Sequence, residues 1–141
     1  MSFTRIWVHM IWSTKNREKI IDQELKKKLL EHISCNCSKK NIWLDSINCT
    51  NDHIHILISL GAEQMISKII MLIKGESSHW INKDRLSITK FEWQTEYMAI
   101  SVSESLVDKT RKYIENQEEH HRRKSIKEEY DAFLAKYHID V

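Results

Sequence analysis

At 141 residues and 16.9 kDa the chain is sized for one domain with one main core, and its 41% hydrophobic residues are enough to fill it. With 30% charged residues and no apolar run near the ~20 residues a bilayer requires, a membrane-spanning helix is excluded. The N-terminus lacks the layout of a secretory signal, so a cytoplasmic location is expected, and a net charge of +2 neither requires nor excludes a nucleic-acid partner.

Residues 3–13 (FTRIWVHMIWS) are rich in β-branched and aromatic side chains and predict a first strand. The cluster Lys15-Asn16-Arg17 follows. Over 22–39, Leu25, Leu29 and Ile33 share one stripe opposite Lys26-Lys27-Lys28, which predicts an amphipathic helix. Residues 42–49 (IWLDSINC) and 53–60 (HIHILISL), joined by Thr50-Asn51-Asp52 and ended by Gly61, read as a hairpin. A second long helix is expected over 63–82, its stripe including Met65, Ile66, Ile69, Ile70 and Ile73. Gly75 lies inside it at a cost of ~1 kcal/mol relative to Ala, so something is expected to approach the backbone there.

Residues 97–102 (YMAISV) predict a fourth strand. Ser105 with Asp108 forms a capping-box pattern, opening a helix to about His120; Ser125 with Glu128 forms another, opening a last helix over about 125–138. With no proline, two glycines and no linker, the chain reads as a single domain over 1–141 with its core in 3–102. The fold class is α+β: a ferredoxin-like or RRM-like β-α-β-β-α-β antiparallel sheet backed by two helices, with two additional C-terminal helices. Such a fold hosts many activities, so function has to come from side chains. Cys35, Cys37 and Cys49, odd in number and without a CxxC pair, read as reduced thiols rather than a disulfide or zinc framework.

Two motifs carry chemistry. His53-Ile54-His55 places two imidazoles on one face of a strand, where they can hold one divalent cation or simply line a solvated face. Tyr113 and Gln117, four apart on an expected helix, lie one turn apart on one side. A tyrosine hydroxyl can attack phosphorus and leave a covalent phosphotyrosine, and a glutamine carbonyl can complete a metal site begun by two histidines; taken alone, both also fit an ordinary amphipathic helix. Together they describe a coherent site. A cation would polarise the scissile phosphate, which eases the demand on a nucleophile whose free pKa is ~10.

Six blocks in order, VHMIWSTKNR (8–17), NDHIHILISL (51–60), IKGESSHWIN (73–82), FEWQ (91–94), ISVSES (100–105) and YIENQEEHH (113–121), make the sequence resemble the single-tyrosine HUH transposases, the small bacterial insertion-sequence and REP-associated enzymes. The resemblance implies that His53 and His55 are the HUH metal ligands, Gln117 the third ligand and Tyr113 the nucleophile. It implies Mg²⁺ or Mn²⁺ as cofactor, and single-stranded DNA with hairpin ends as partner and substrate. The implied product is a 5′-phosphotyrosine with a free 3′-OH. It also implies a homodimer with sheets joined edge to edge, composite active sites in which one subunit's tyrosine helix completes the other's histidine pair, and no membrane partner. One departure stands out: in WQTEYMAIS, Glu96 and Met98 replace glycines usual in relatives, which puts the turn before the fourth strand in question.

Lys15 and Arg17, with Arg122 and Arg123 in the basic run after His120 and His121, are the candidate phosphate contacts. His121 is a conceivable substitute ligand, while Tyr97, Tyr130 and Tyr137 are weaker nucleophile candidates. Most of the five tryptophans should be core, with one or two free to stack on unpaired bases. A histidine-triad hydrolase is disfavoured because Leu57 stands where a third histidine is needed. An RRM-like RNA binder is disfavoured because HIHIL replaces the aromatic RNP1 pattern. The remaining alternative is a domesticated, non-catalytic DNA-hairpin-binding protein.

Overall fold

A computed structural model of the chain describes residues 2–117 and positions 128, 131 and 132. The elements run β1 (Ile6–Ser13), α1 (Gln23–Lys39), β2 (Trp43–Cys49), β3 (His53–Leu60), α2 (Ile66–Lys83), β4 (Met98–Val102) and α3 (Val107–Glu115), with 3-10 turns at Lys15–Arg17 and Glu104–Leu106. The sheet order is β2-β3-β1-β4 with every neighbouring pair antiparallel, which is the expected α+β arrangement. Of the anticipated helix over 125–138 only positions 128, 131 and 132 are described, and all three are helical and exposed. No described helix is long and apolar enough to cross a membrane.

Local chemistry explains most boundaries. α1 starts where the Asp22 carboxylate accepts the Leu25 amide at 2.8 Å, satisfying one of the helix's otherwise unpaired first-turn donors. Its buried stripe of Leu25, Leu29, Ile33 and Cys37 repeats every four residues. α2 begins later than its apolar pattern suggested: Met65 is the exposed residue preceding the helix, and the buried stripe is Ile69, Ile70, Ile73, Ser77 and Ile81. An added Cβ at Gly75 would meet nothing within 4 Å, so no backbone packs against it. Gly75 instead lines an open groove of about 920 Å³ between α2 and the segment before β4.

Two expectations need correction. The Ser105–Asp108 capping box does not form: the residue preceding α3 is Leu106, without a side-chain cap, because Glu104–Leu106 winds as a 3-10 turn. Asp108 pairs instead with Arg111 at 2.8 Å. The expected continuous helix to His120 is also interrupted, by a turn at Asn116 after which Gln117 is again helical, and residues 118–120 lie outside the described residues. Glu96 and Met98 cause no strain, since among the described residues only Asn16, Arg17, Asn41 and Arg85 are non-glycines with positive φ.

The sheet has two unlike faces. Val8, Met10 and Trp12 of β1 and Ile54, Ile56 and Ile58 of β3 point toward α1 and α2, forming the main core with Phe91 and Trp93. Trp7, His9 and Ile11, with His53, His55 and Leu57, occupy the opposite face, where α3 packs through Val107 and Ile114.

Candidate active site

Both histidines of the HIH motif are fully buried at the α3 side of β3, with ring centroids 5.0 Å apart. Their orientation comes from different partners. His53 Nδ1 lies 2.8 Å from Asp52 Oδ1 and 2.7 Å from Thr50 Oγ1, so a proton there has two oxygen acceptors. His55 Nδ1 lies 3.0 Å from Nε2 of His9, itself buried on β1. Burial pushes the His9 imidazole down to about 4, because the low-dielectric interior disfavours its charged form. With both Nδ1 atoms engaged, the buried Nε2 atoms are what the two rings present to a cation.

α3 brings the tyrosine to these rings within the same chain. Tyr113, half-buried, sits edge-on to His55 at 5.7 Å and to His9 at 6.1 Å. Gln117 follows Asn116, the residue that closes the helix, and folds back so that its Nε2 donates to the Tyr113 carbonyl at 2.9 Å. Its side chain is fully buried, and among the described residues no hydrogen bond reaches its Oε1. Such a buried acceptor costs ~1–3 kcal/mol when unsatisfied, so its presence calls for a group to bind it. No three His, Cys, Asp or Glu side chains gather as a metal cluster among the described residues. The buried polar groups on this side of the sheet are instead imidazoles and one side-chain amide, those of His53, His55 and Gln117.

Strand β2 holds the helix in place. Asn48 Nδ2 donates to the carbonyls of Ile114 (2.9 Å) and Glu115 (3.1 Å), satisfying acceptors that a helix C-terminus leaves open. A register shift between Leu44 and Ser46 leaves Asp45 as an extra residue and lets it reach α3. Both its carboxylate oxygens take hydrogen bonds from Arg111, at 2.7 and 2.8 Å, and the guanidinium lies over the Trp7 ring. Arg111 holds the Asp45 carboxyl below its ordinary range.

Other candidates are placed less centrally. Lys15 and Arg17 form the turn after β1, whose last residue pairs with His53, so they flank the histidine end of the sheet. Lys15 is already paired with Glu92 at 3.0 Å. Asn16 and Arg17 both have left-handed backbone angles, which for arginine is an uncommon, strained conformation. Tyr97 packs by Lys74 beside the α2 groove rather than at the histidines. His120, His121, Arg122, Arg123, Tyr130 and Tyr137 lie outside the described residues. Trp7, Trp12 and Trp93 are core, while Trp43 is 69% exposed. Cys37 and Cys49 are buried and Cys35 exposed, and none of the three is in a disulfide. Sequence reasoning missed His9, Asp45, Asn48 and Asp52. Asp52 was detectable as a carboxylate beside the motif, but the other three reach the site only through strand pairing.

Comparisons with known proteins find similar chains. The family model described as "Transposase IS200 like" matches residues 2–117. The ISDra2 transposase TnpA of Deinococcus radiodurans is 25% identical over 115 residues, covering 77% of this chain and 81% of that protein. A crystal structure of a Deinococcus radiodurans R1 protein assigned as a transposase superposes with a TM-score of 0.66 at 21% identity, covering 82% of this chain and 93% of that one. A REP-associated tyrosine transposase bound to a REP hairpin superposes with a TM-score of 0.65 at 15% identity, covering 86% of this chain and 74% of that one. At these identities the two structures speak for the fold.

Proposed function

Because the chain belongs to the IS200-like transposase family and is therefore a transposase, we propose that it is a metal-dependent single-stranded DNA endonuclease and strand transferase acting at hairpin-marked element ends. The supporting observation is Tyr113 packed edge-on against His55, beside His53, on the side of the sheet covered by the helix that ends just before the buried Gln117.

His53 Nε2, His55 Nε2 and Gln117 Oε1 would hold Mg²⁺ or Mn²⁺. Such a cation, when bound, draws charge from a phosphate's non-bridging oxygens and lowers the barrier to attack on phosphorus. The Tyr113 oxygen then forms a bond to phosphorus and loses its proton; the P–O3′ bond breaks and the 3′ oxygen gains a proton. The product is a 5′-phosphotyrosine and a free 3′-OH. Attack by a second 3′-OH reverses the exchange and releases Tyr113, so no ATP is required. Thr50 and Asp52 hold the His53 ring, and Asn48, Asp45 and Arg111 hold the helix that carries the nucleophile.

Lys15 and Arg17, at the histidine end of the sheet, and Arg122 and Arg123 would contact DNA phosphates. A homodimer joined along β4, an edge strand of this sheet, belongs to the same reading. Since Tyr113 already lies against its own chain's histidines, composite sites in that dimer require α3 to exchange between subunits. The working location would be the cytoplasm, with the element's DNA.

The test is incubation of the purified protein with labelled single strands from the DNA flanking its gene, with Mn²⁺ or Mg²⁺, read on a denaturing gel. A covalent adduct on single strands but not duplex, lost with EDTA and with Tyr113→Phe, is expected. Tight hairpin binding without any adduct, unaffected by His53→Ala, would instead identify a non-catalytic hairpin binder. An adduct that survives Tyr113→Phe would move the nucleophile to another tyrosine.

A further inference from the structure

His9 has no part in that chemistry, yet it is 4% exposed and touches both of its principal groups. The register of β1 on β3 sets the contact: His55 faces Ile11 and His9 faces Leu57, so the two histidines are diagonal neighbours on one side of the sheet. Their rings meet with His9 Nε2 3.0 Å from His55 Nδ1, a hydrogen-bond distance in which one nitrogen carries the proton and the other the lone pair.

Only two arrangements of a neutral pair satisfy that distance. If His9 Nε2–H donates, His55 Nδ1 is the acceptor and its single proton sits on Nε2, which then cannot ligate a cation. If His55 Nδ1–H donates, His9 Nε2 accepts and His55 Nε2 keeps its lone pair. We propose that His9 is a positioning residue that accepts the Nδ1 proton of His55 and thereby holds His55 in its metal-ligating tautomer, an inference that rests on the metal reading above.

His53 receives the equivalent service from Asp52 and Thr50, so the two ligands are oriented by chemically different acceptors. The difference has a rationale in position. His9 lies against the Tyr113 ring, where a second carboxylate would repel both the incoming phosphate and the charge that forms on the tyrosine oxygen. A neutral imidazole supplies the acceptor without that charge.

Two measurements test this. Long-range ¹H–¹⁵N spectra of histidine-labelled, metal-free protein should find His55 as the Nδ1–H tautomer; the Nε2–H tautomer in the wild type would overturn the proposal. Mn²⁺ titration followed by electron paramagnetic resonance should then separate two substitutions. His9→Gln, whose amide oxygen can stand where Nε2 does, should keep Mn²⁺ affinity near wild type. His9→Leu should weaken it by ~10–100-fold, as loss of a ligand's supporting hydrogen bond does elsewhere. Equal Mn²⁺ affinity in His9→Leu and wild type would also overturn the proposal. If the wild type bound no Mn²⁺ the metal reading would fall by itself, and the tautomer spectrum would still decide the role of His9. The same spectrum decides it if His9→Leu fails to fold by circular dichroism.

Discussion

The two sides of the sheet are built for different purposes. Toward α1 and α2 the sheet presents Val8, Met10, Trp12, Ile54, Ile56 and Ile58, an unbroken apolar layer. Toward α3 it presents His9, His53 and His55, covered by a helix of nine residues and by Gln117. The first arrangement gains stability from every side chain it buries. The second places polar groups where water cannot reach them, which lowers stability unless partners compensate. Under the proposed function, the larger apolar core and the catalytic groups thus lie on opposite sides of the same strands, one residue apart in sequence.

Substitutions can break that division. Ile56→Ala, fully buried on the apolar side, should have the largest effect, lowering unfolding free energy by ~2–5 kcal/mol in denaturant titrations through lost burial and a cavity. A loss under 1 kcal/mol would mean that the core is not where the sheet places it. Gln117→Leu should behave oppositely. It removes a buried amide oxygen with no hydrogen bond among the described residues together with the Nε2 bond to the Tyr113 carbonyl, a relief and a loss that should offset, so stability should stay within ~1 kcal/mol of wild type. Mn²⁺ affinity should nonetheless drop by ~10-fold or more, and unchanged affinity would remove Gln117 from the ligand set.

The smallest effect concerns the hold on α3. Asp45→Asn should speed amide exchange at Tyr113 and Ile114 several-fold while leaving β3 unaltered, because it weakens the Arg111 bridge, and the other side-chain partner of Asp45, Ser46, is its own neighbour in β2. The pH dependence has a definite sign. Arg111 lowers the Asp45 pKa in the folded chain, so the bridge contributes fully above the unfolded carboxylate value, from about pH 5 upward, and is lost as pH falls through the lowered folded pKa. Exchange in α3 should therefore accelerate in acid before exchange in β3 does. Simultaneous acceleration would show that α3 and the sheet open as one unit.

Much of this was legible from local pattern. The alternation of HIHILISL sends His53 and His55 one way and Ile54, Ile56 and Ile58 the other whatever the strand's neighbours, because the side-chain period of a strand is two. The stripe Leu25, Leu29, Ile33 similarly specified α1 and its buried side. Local pattern was weaker at element ends. Met65 continues an apolar rhythm but lies outside α2, and the Ser105–Asp108 spacing fits a cap that the 3-10 turn at Glu104–Leu106 displaces.

The sequence by itself therefore determined the element order, the pairing of the two motif histidines, and Tyr113 and Gln117 as residues worth testing. Tertiary structure alone decided that His9 meets His55, that the bulged Asp45 reaches Arg111, that Asn48 closes α3, and that Tyr113 lies on its own chain's histidines. The reason is physical. Periodicity records which side of an element a residue occupies, whereas contacts between residues 46 or 66 positions apart depend on strand register and helix placement. Those are set by the packing of the whole core and leave no local trace in the chain.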